Sequence, residues 1–82
     1  MITKTDLGRW IVEALQAANG SAHHVRVAEF IWHNYEQELR GSGDLFFTWQ
    51  YDLRWSAQAL RDAGKLQQVE GRGDGVWRLR AE

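Results

Sequence analysis

Apolar residues recur along this chain at helical spacing in three separate stretches, and near the end the period changes to that of a strand. In the first stretch Leu7, Trp10, Ile11, Ala14, Leu15 and Ala18 fall on one stripe, the spacing of an amphipathic helix packed by one face. Thr5 or Thr3 can cap its start, Asp6 suits the positive end of the helix dipole, and Asn19-Gly20 reads as a stop. Gly8 lies inside the first turns, where it weakens the helix slightly and leaves room for a neighbour to approach. Ser21–Val25 is short and reads as a brief strand or extended turn. A second helix is expected over Arg26–Arg40, with Ala28, Ile31, Trp32, Tyr35 and Leu39 inward. Phe30 falls on the opposite side with Arg26, His33 and Gln37, either packed under a loop or marking a partner surface.

Gly41-Ser42-Gly43-Asp44 is a flexible connector, and Leu45-Phe46-Phe47 after it reads as an apolar plug at the entrance to the third helix. That helix is expected to begin at Thr48, as N-cap, and to bury Trp49, Leu53, Ser56, Ala57, Leu60 and Ala63. Gly64 stands where a left-handed residue ends a helix, and Lys65 suits the negative end of its dipole. The outward arc carries Tyr51, Arg54, Trp55, Gln58, Arg61 and Asp62. A hairpin follows: Val69 leads into Gly71-Arg72-Gly73-Asp74-Gly75, and Val76-Trp77-Arg78-Leu79-Arg80 returns. Its return strand has Trp77 and Leu79 on one face and Arg78 and Arg80 on the other. Three helices, a short strand between the first two, and a closing hairpin predict an α/β fold of the α+β kind, a winged helix-turn-helix, with residues 1–82 forming one domain.

Composition narrows the function classes. Hydrophobic residues make up 44% of the chain, which is a globular and not a disordered composition. There is no cysteine, so neither a disulfide nor a thiolate metal site is expected. No apolar run is long enough to cross a membrane, and the N-terminus is polar from the outset without the apolar core of a signal peptide, so a cytoplasmic protein is expected. His23, His24 and His33 do not make a metal site: the first two are expected to point apart, and no spaced carboxylate set joins them. No nucleophile–base pair stands at readable spacing, so no enzyme activity, small-molecule substrate or cofactor is expected.

The chemistry that remains is recognition. Arginine binds guanine edges or phosphates bidentately, and glutamine pairs with adenine. Gln50, Tyr51, Arg54, Gln58 and Arg61 are therefore the candidates to face the major groove of DNA, with Arg72, Arg78 and Arg80 on its phosphates. The bland alternatives are that Tyr51 and Trp55 pack against the hairpin, that the arginines merely solvate a surface, and that the outward charges of the last strand protect a sheet edge. Net charge is −1, low for a nucleic-acid binder. Residues 1–40 hold four basic and five acidic side chains, net −1, and residues 50–80 hold six basic and four acidic ones, net +2, so the positive charge gathers in the third helix and hairpin. Glu29, Glu36 and Glu38 give the second helix an acidic surface. That surface and an outward Phe30 favour the competing reading, a protein-interaction or homodimerisation module on the same fold.

The run Leu53-Arg54-Trp55-Ser56, Leu60-Arg61-Asp62-Ala63-Gly64-Lys65-Leu66 and Gly75-Val76-Trp77-Arg78-Leu79 resembles the N-terminal domain of Mrr-type restriction proteins. The shared pattern is an Arg-Trp pair, a Leu-x-x-Ala-Gly helix end and a Gly-x-Trp-x-Leu last strand. It covers about the last 35 residues; the earlier part is similar only in helix order. The resemblance implies a winged helix that recognises double-stranded DNA beside a nuclease domain, with Trp55 and Trp77 holding wing to helix. The sequence ends at Glu82, just past the wing, without that nuclease domain, and a small regulator that does not cut DNA is expected.

Overall fold

The structure, a computed structural model, describes residues 3–68 and 73–80. In chain order it contains α1 (Lys4–Ala17), β1 (Ser21–His23), α2 (His24–Arg40), α3 (Leu45–Asp62) and β2 (Val76–Arg78). The result is a small α+β domain in which three helices pack together and a two-stranded antiparallel sheet closes one end. Among the described residues no helix is long and apolar enough to cross a membrane, and no group of three or more potential ligand side chains is placed to hold a metal ion.

α1 follows its apolar stripe: Leu7, Trp10, Ile11, Ala14 and Leu15 are buried. Thr3, not Thr5, is its N-cap, and the Thr3 N–H donates to the Asp6 carboxylate at 2.8 Å, one arm of a capping box. Asn19 and Gly20 both take positive φ, and the Gly20 N–H returns to the Leu15 carbonyl at 2.7 Å, which ends the helix as expected. Gly8 is buried against α3, but a Cβ built there would meet Leu60 at an ordinary 3.9 Å, so no close approach requires glycine. Gly8→Ala is therefore expected to raise stability by about 0.5–1 kcal/mol through backbone entropy. The check is a urea denaturation midpoint above that of the wild type; a lower midpoint would mean that α1 must move to accept the methyl.

α2 starts two residues earlier than the sequence pattern indicated. The His23 side chain is the N-cap, its Nδ1 accepting from the Val25 N–H at 3.2 Å, and this draws His24 and Val25 out of the expected strand into the helix. The core face of α2 is centred on Val27 and Ile31. Phe30 then lies on one flank of that face and packs half-buried against the core, not outward, while Ala28 and Trp32 pack on the other flank. Tyr35 interrupts the helical dihedrals at φ −130° and ψ 21°. Its ring stacks on Trp10 at 4.0 Å and its hydroxyl donates to Glu13, which raises the phenol pKa.

α3 also begins early. Leu45-Phe46-Phe47 is its first turn and not a plug ahead of it. Successive residues of a helix lie about 100° apart, so three in a row cannot all face inward: Leu45 and Phe46 pack on the core, and Phe47 is 83% exposed. Thr48 is consequently not the N-cap, a position held by Asp44; its hydroxyl donates instead to Asp52 at 2.8 Å. Trp49, Leu53, Ser56 and Ala57 are buried as expected, Leu60 is half-buried and Ala63 is exposed. Asp52 is buried too, next to Lys4 at 3.6 Å. Gly64 takes φ +78° and the Lys65 N–H reaches the Leu60 carbonyl at 2.8 Å, the expected stop.

β2 pairs with β1 in the register Ser21–Arg78, Ala22–Trp77 and His23–Val76. On its other side Leu66 forms an antiparallel bridge with Leu79, and the Gln67 N–H donates to the Arg78 carbonyl at 2.9 Å. The last strand thus lies between Ser21–His23 and the segment that follows α3. Among the described residues the leading arm of the expected hairpin pairs only at that bridge, and Arg72 with the loop residues 69–72 lies outside them. Trp77 is buried and Leu79 half-buried, while Arg78 and Arg80 face out, the alternation expected from the sequence.

Candidate functional site

The most featured surface is an open groove of about 940 Å³ between α2 and α3. His24, Glu29 and His33 stand on the α2 side, Gln50, Tyr51 and Arg54 on the α3 side, and Trp77 of β2 closes the end at the sheet. Trp32 and Trp49 form part of its floor, their rings near-parallel (7°) and 6.3 Å apart. Helical spacing accounts for the α3 wall: Trp49 and Leu53 turn inward to the core, so Gln50 and Arg54, one residue further round, come to the rim.

Of the residues picked out from sequence, the groove gathers Gln50, Tyr51 and Arg54, all exposed. Gln58 and Arg61 lie further along α3 and are half-buried. The Gln58 amide donates to Asp62 at 3.0 Å, Arg61 donates to Gln58 at 3.4 Å, and the Arg61 guanidinium lies 6.0 Å from the Trp77 ring. Arg78 is held by Asp74 at 2.9 Å, and this hydrogen bond, with one from the Val76 N–H, keeps the Asp74 carboxyl below its usual pKa. Arg80 is exposed beside Gly64. Arg54, like Arg61 and Arg80, has no carboxylate partner among the described residues. The acids of α2 are partly neutralised on their own helix, Glu29 by Arg26 and Glu36 by Arg40 at 2.7 Å.

Tyr51 and Trp55 face out, as the outward arc read from the sequence placed them: they are 65% and 61% exposed and meet each other edge to face at 6.4 Å. With Phe47 they make a solvent-facing aromatic stripe at i, i+4 and i+8, visible only once α3 is known to start at Leu45. Trp55 stands over a second cleft, about 650 Å³, between α3 and α1, and is exposed, whereas Trp77 is buried. The neighbouring histidines do not point apart but stack at 4.4 Å, because His23 folds back to cap α2 and lies over His24.

That histidine pair is built into the junction of three elements. The His24 N–H donates to the Gly75 carbonyl at 2.9 Å, and the His24 ring leans on Trp77 at 6.0 Å. Gly75 has φ +78°, and a Cβ there would sit 2.7 Å from His23 Nε2, so the position is restricted to glycine by both backbone and space. Burial lowers the His24 pKa, and the positive charges of His23 and Arg54 lower it further. Comparison of the chain with family models, curated proteins and solved structures returned no match.

Proposed function

We propose that this chain is a winged-helix protein that binds double-stranded DNA through α3 and acts as a regulator. The observation that carries the reading is the exposed middle of α3, where Gln50, Tyr51 and Arg54 line one groove and Arg54 has no carboxylate partner among the described residues. Element order supports the fold assignment: helix, strand, helix, helix, and a last strand set between the first strand and the segment after α3. The resemblance to the Mrr-type N-terminal domain points the same way. In this reading the middle of α3 enters the major groove, and Arg78, Arg80 and Arg72 lie along phosphates. Arg78 would exchange Asp74 for a phosphate, an exchange between two exposed partners. Gln58 and Arg61, bonded to their own helix, contribute less than Gln50 and Arg54.

The aromatic stripe Phe47, Tyr51 and Trp55 favours a second reading, a docking surface for a protein partner or a second copy of the chain. Titration of a random 20-base-pair duplex at rising salt separates the two. The DNA reading predicts an affinity that falls linearly on logarithmic axes, with a slope of about −0.9 for each phosphate neutralised. Absence of binding at low salt rejects it and leaves the docking surface, whose own signature is a mass that rises with concentration or a complex with a partner.

A further inference from the structure

We propose that His24 and Arg54, with His23 stacked behind them, clasp one backbone phosphate of a bound duplex, and that His24 takes up a proton as the phosphate enters. The inference rests on the DNA reading and adds a site to it. Three cationic or ionisable side chains converge here from three elements: His23 from the end of β1, His24 from the first turn of α2, and Arg54 from the middle of α3. Their proximity is costly in the free protein. His24 is partly desolvated, and its two neighbours are a second imidazole and an arginine, so the neutral imidazole is favoured.

A cluster of this kind suits an anion. A phosphodiester carries one negative charge at any pH of interest, and its unesterified oxygens accept hydrogen bonds from guanidinium and imidazolium N–H groups together. Placed between Arg54 and His24, it would replace the repulsion felt by a protonated His24 with attraction, and its entry would therefore carry a proton onto His24. The other charged groups nearby do not answer the need. Glu29, on the same groove, is held by Arg26. Asp74, next to Gly75 on the strand side, is held by Arg78. His33 is nine residues further along α2, roughly 13 Å away, and Arg61 lies over the Trp77 ring, bonded to Gln58. Arg54 thereby stands on a phosphate at the edge of the major groove, which leaves Gln50 and Tyr51 as the base-facing side chains.

Linkage gives the sign. A histidine whose pKa is lowered in the free protein and raised in the complex binds a proton on association, so affinity must rise as pH falls through that interval. Duplex binding is to be measured by anisotropy at fixed salt from pH 8 to pH 5.5, with the wild type and with His24→Gln, alongside the imidazole proton shifts of His24 by NMR. The wild type is expected to gain roughly tenfold in affinity over that range and to show a higher His24 midpoint with duplex bound. His24→Gln is expected to lose most of the gain, so that its affinity changes little between pH 8 and pH 5.5. The NMR arm uses the wild type alone, so it stands even where the variant folds poorly. Inorganic phosphate at equal phosphate concentration is expected to leave the His24 midpoint where it was; an equal shift would make the free ion the ligand and overturn the assignment to duplex. Duplex binding with an unmoved His24 midpoint rejects the clasp alone, whereas no duplex binding at any pH rejects the DNA reading and the clasp together.

Discussion

Trp77→Ala is expected to cost about 3–5 kcal/mol of stability and to abolish the groove with it. Trp77 is 7% exposed at the centre of β2, cross-strand from Ala22, with the His24 ring on one side and the Arg61 guanidinium at 6.0 Å. A domain of this length has roughly 4–12 kcal/mol in all, so the variant stands near the edge of folding at room temperature. Removing the indole would leave a cavity that the short strand cannot fill, since its neighbours Val76 and Arg78 face the other way. Urea denaturation followed by circular dichroism is the measurement, and Trp77→Phe, which keeps a ring in the site, is expected to lose only about 1–2 kcal/mol. A Trp77→Ala protein within about 1 kcal/mol of the wild type would show that the indole does not support the junction of sheet and helices.

Arg54→Ala is expected to do the opposite: leave stability within about 0.5 kcal/mol, because the side chain is exposed, and lower duplex affinity about tenfold to a hundredfold. If Arg54 holds a phosphate, the loss is the same on every sequence and the salt slope shrinks by about one unit. Gln50→Ala, by contrast, is expected to change which sequence binds best. Anisotropy against a panel of duplexes at several salt concentrations distinguishes the outcomes. A loss confined to some sequences would return Arg54 to a base edge, and an unchanged affinity would remove it from the interface. Arg78→Ala is the internal comparison: Arg78 must first leave Asp74 to meet a phosphate, so its loss should cost less than that of Arg54.

How far the sequence revealed this molecule can be judged element by element. The stripe from Leu7 to Leu15 and the Gly64 stop were legible because each depends on neighbours within a turn or two of the chain. The starts of α2 and α3 were not. His23 is a less common N-cap than Ser, Thr, Asp or Asn, and Leu45-Phe46-Phe47 has no period, since one apolar run serves a helix or a plug equally well. Phe30 was misplaced because the face of α2 was centred on Ala28 and Trp32, with Val27 overlooked. In the site, Gln50, Tyr51 and Arg54 were legible as an outward arc of one helix. His24 was not, because the groups that define its surroundings come from β1, α3 and β2. Contacts between elements distant in sequence leave no local period to read.

The position of β2 also dictates an order of assembly. It follows the three helices in the chain, yet it is hydrogen-bonded to Ser21–His23, ahead of α2, and, on its other edge, bridged by Leu79 to Leu66. The three helices are local structures joined by short turns, and such contacts form early. Closing the sheet must bring distant segments together, with a greater loss of chain entropy. On the ribosome the helices can therefore gather before Trp77 has been made, and the groove between α2 and α3 acquires its end wall only when β2 docks. Until then the growing chain has a helical body whose groove between α2 and α3 is open at the sheet end.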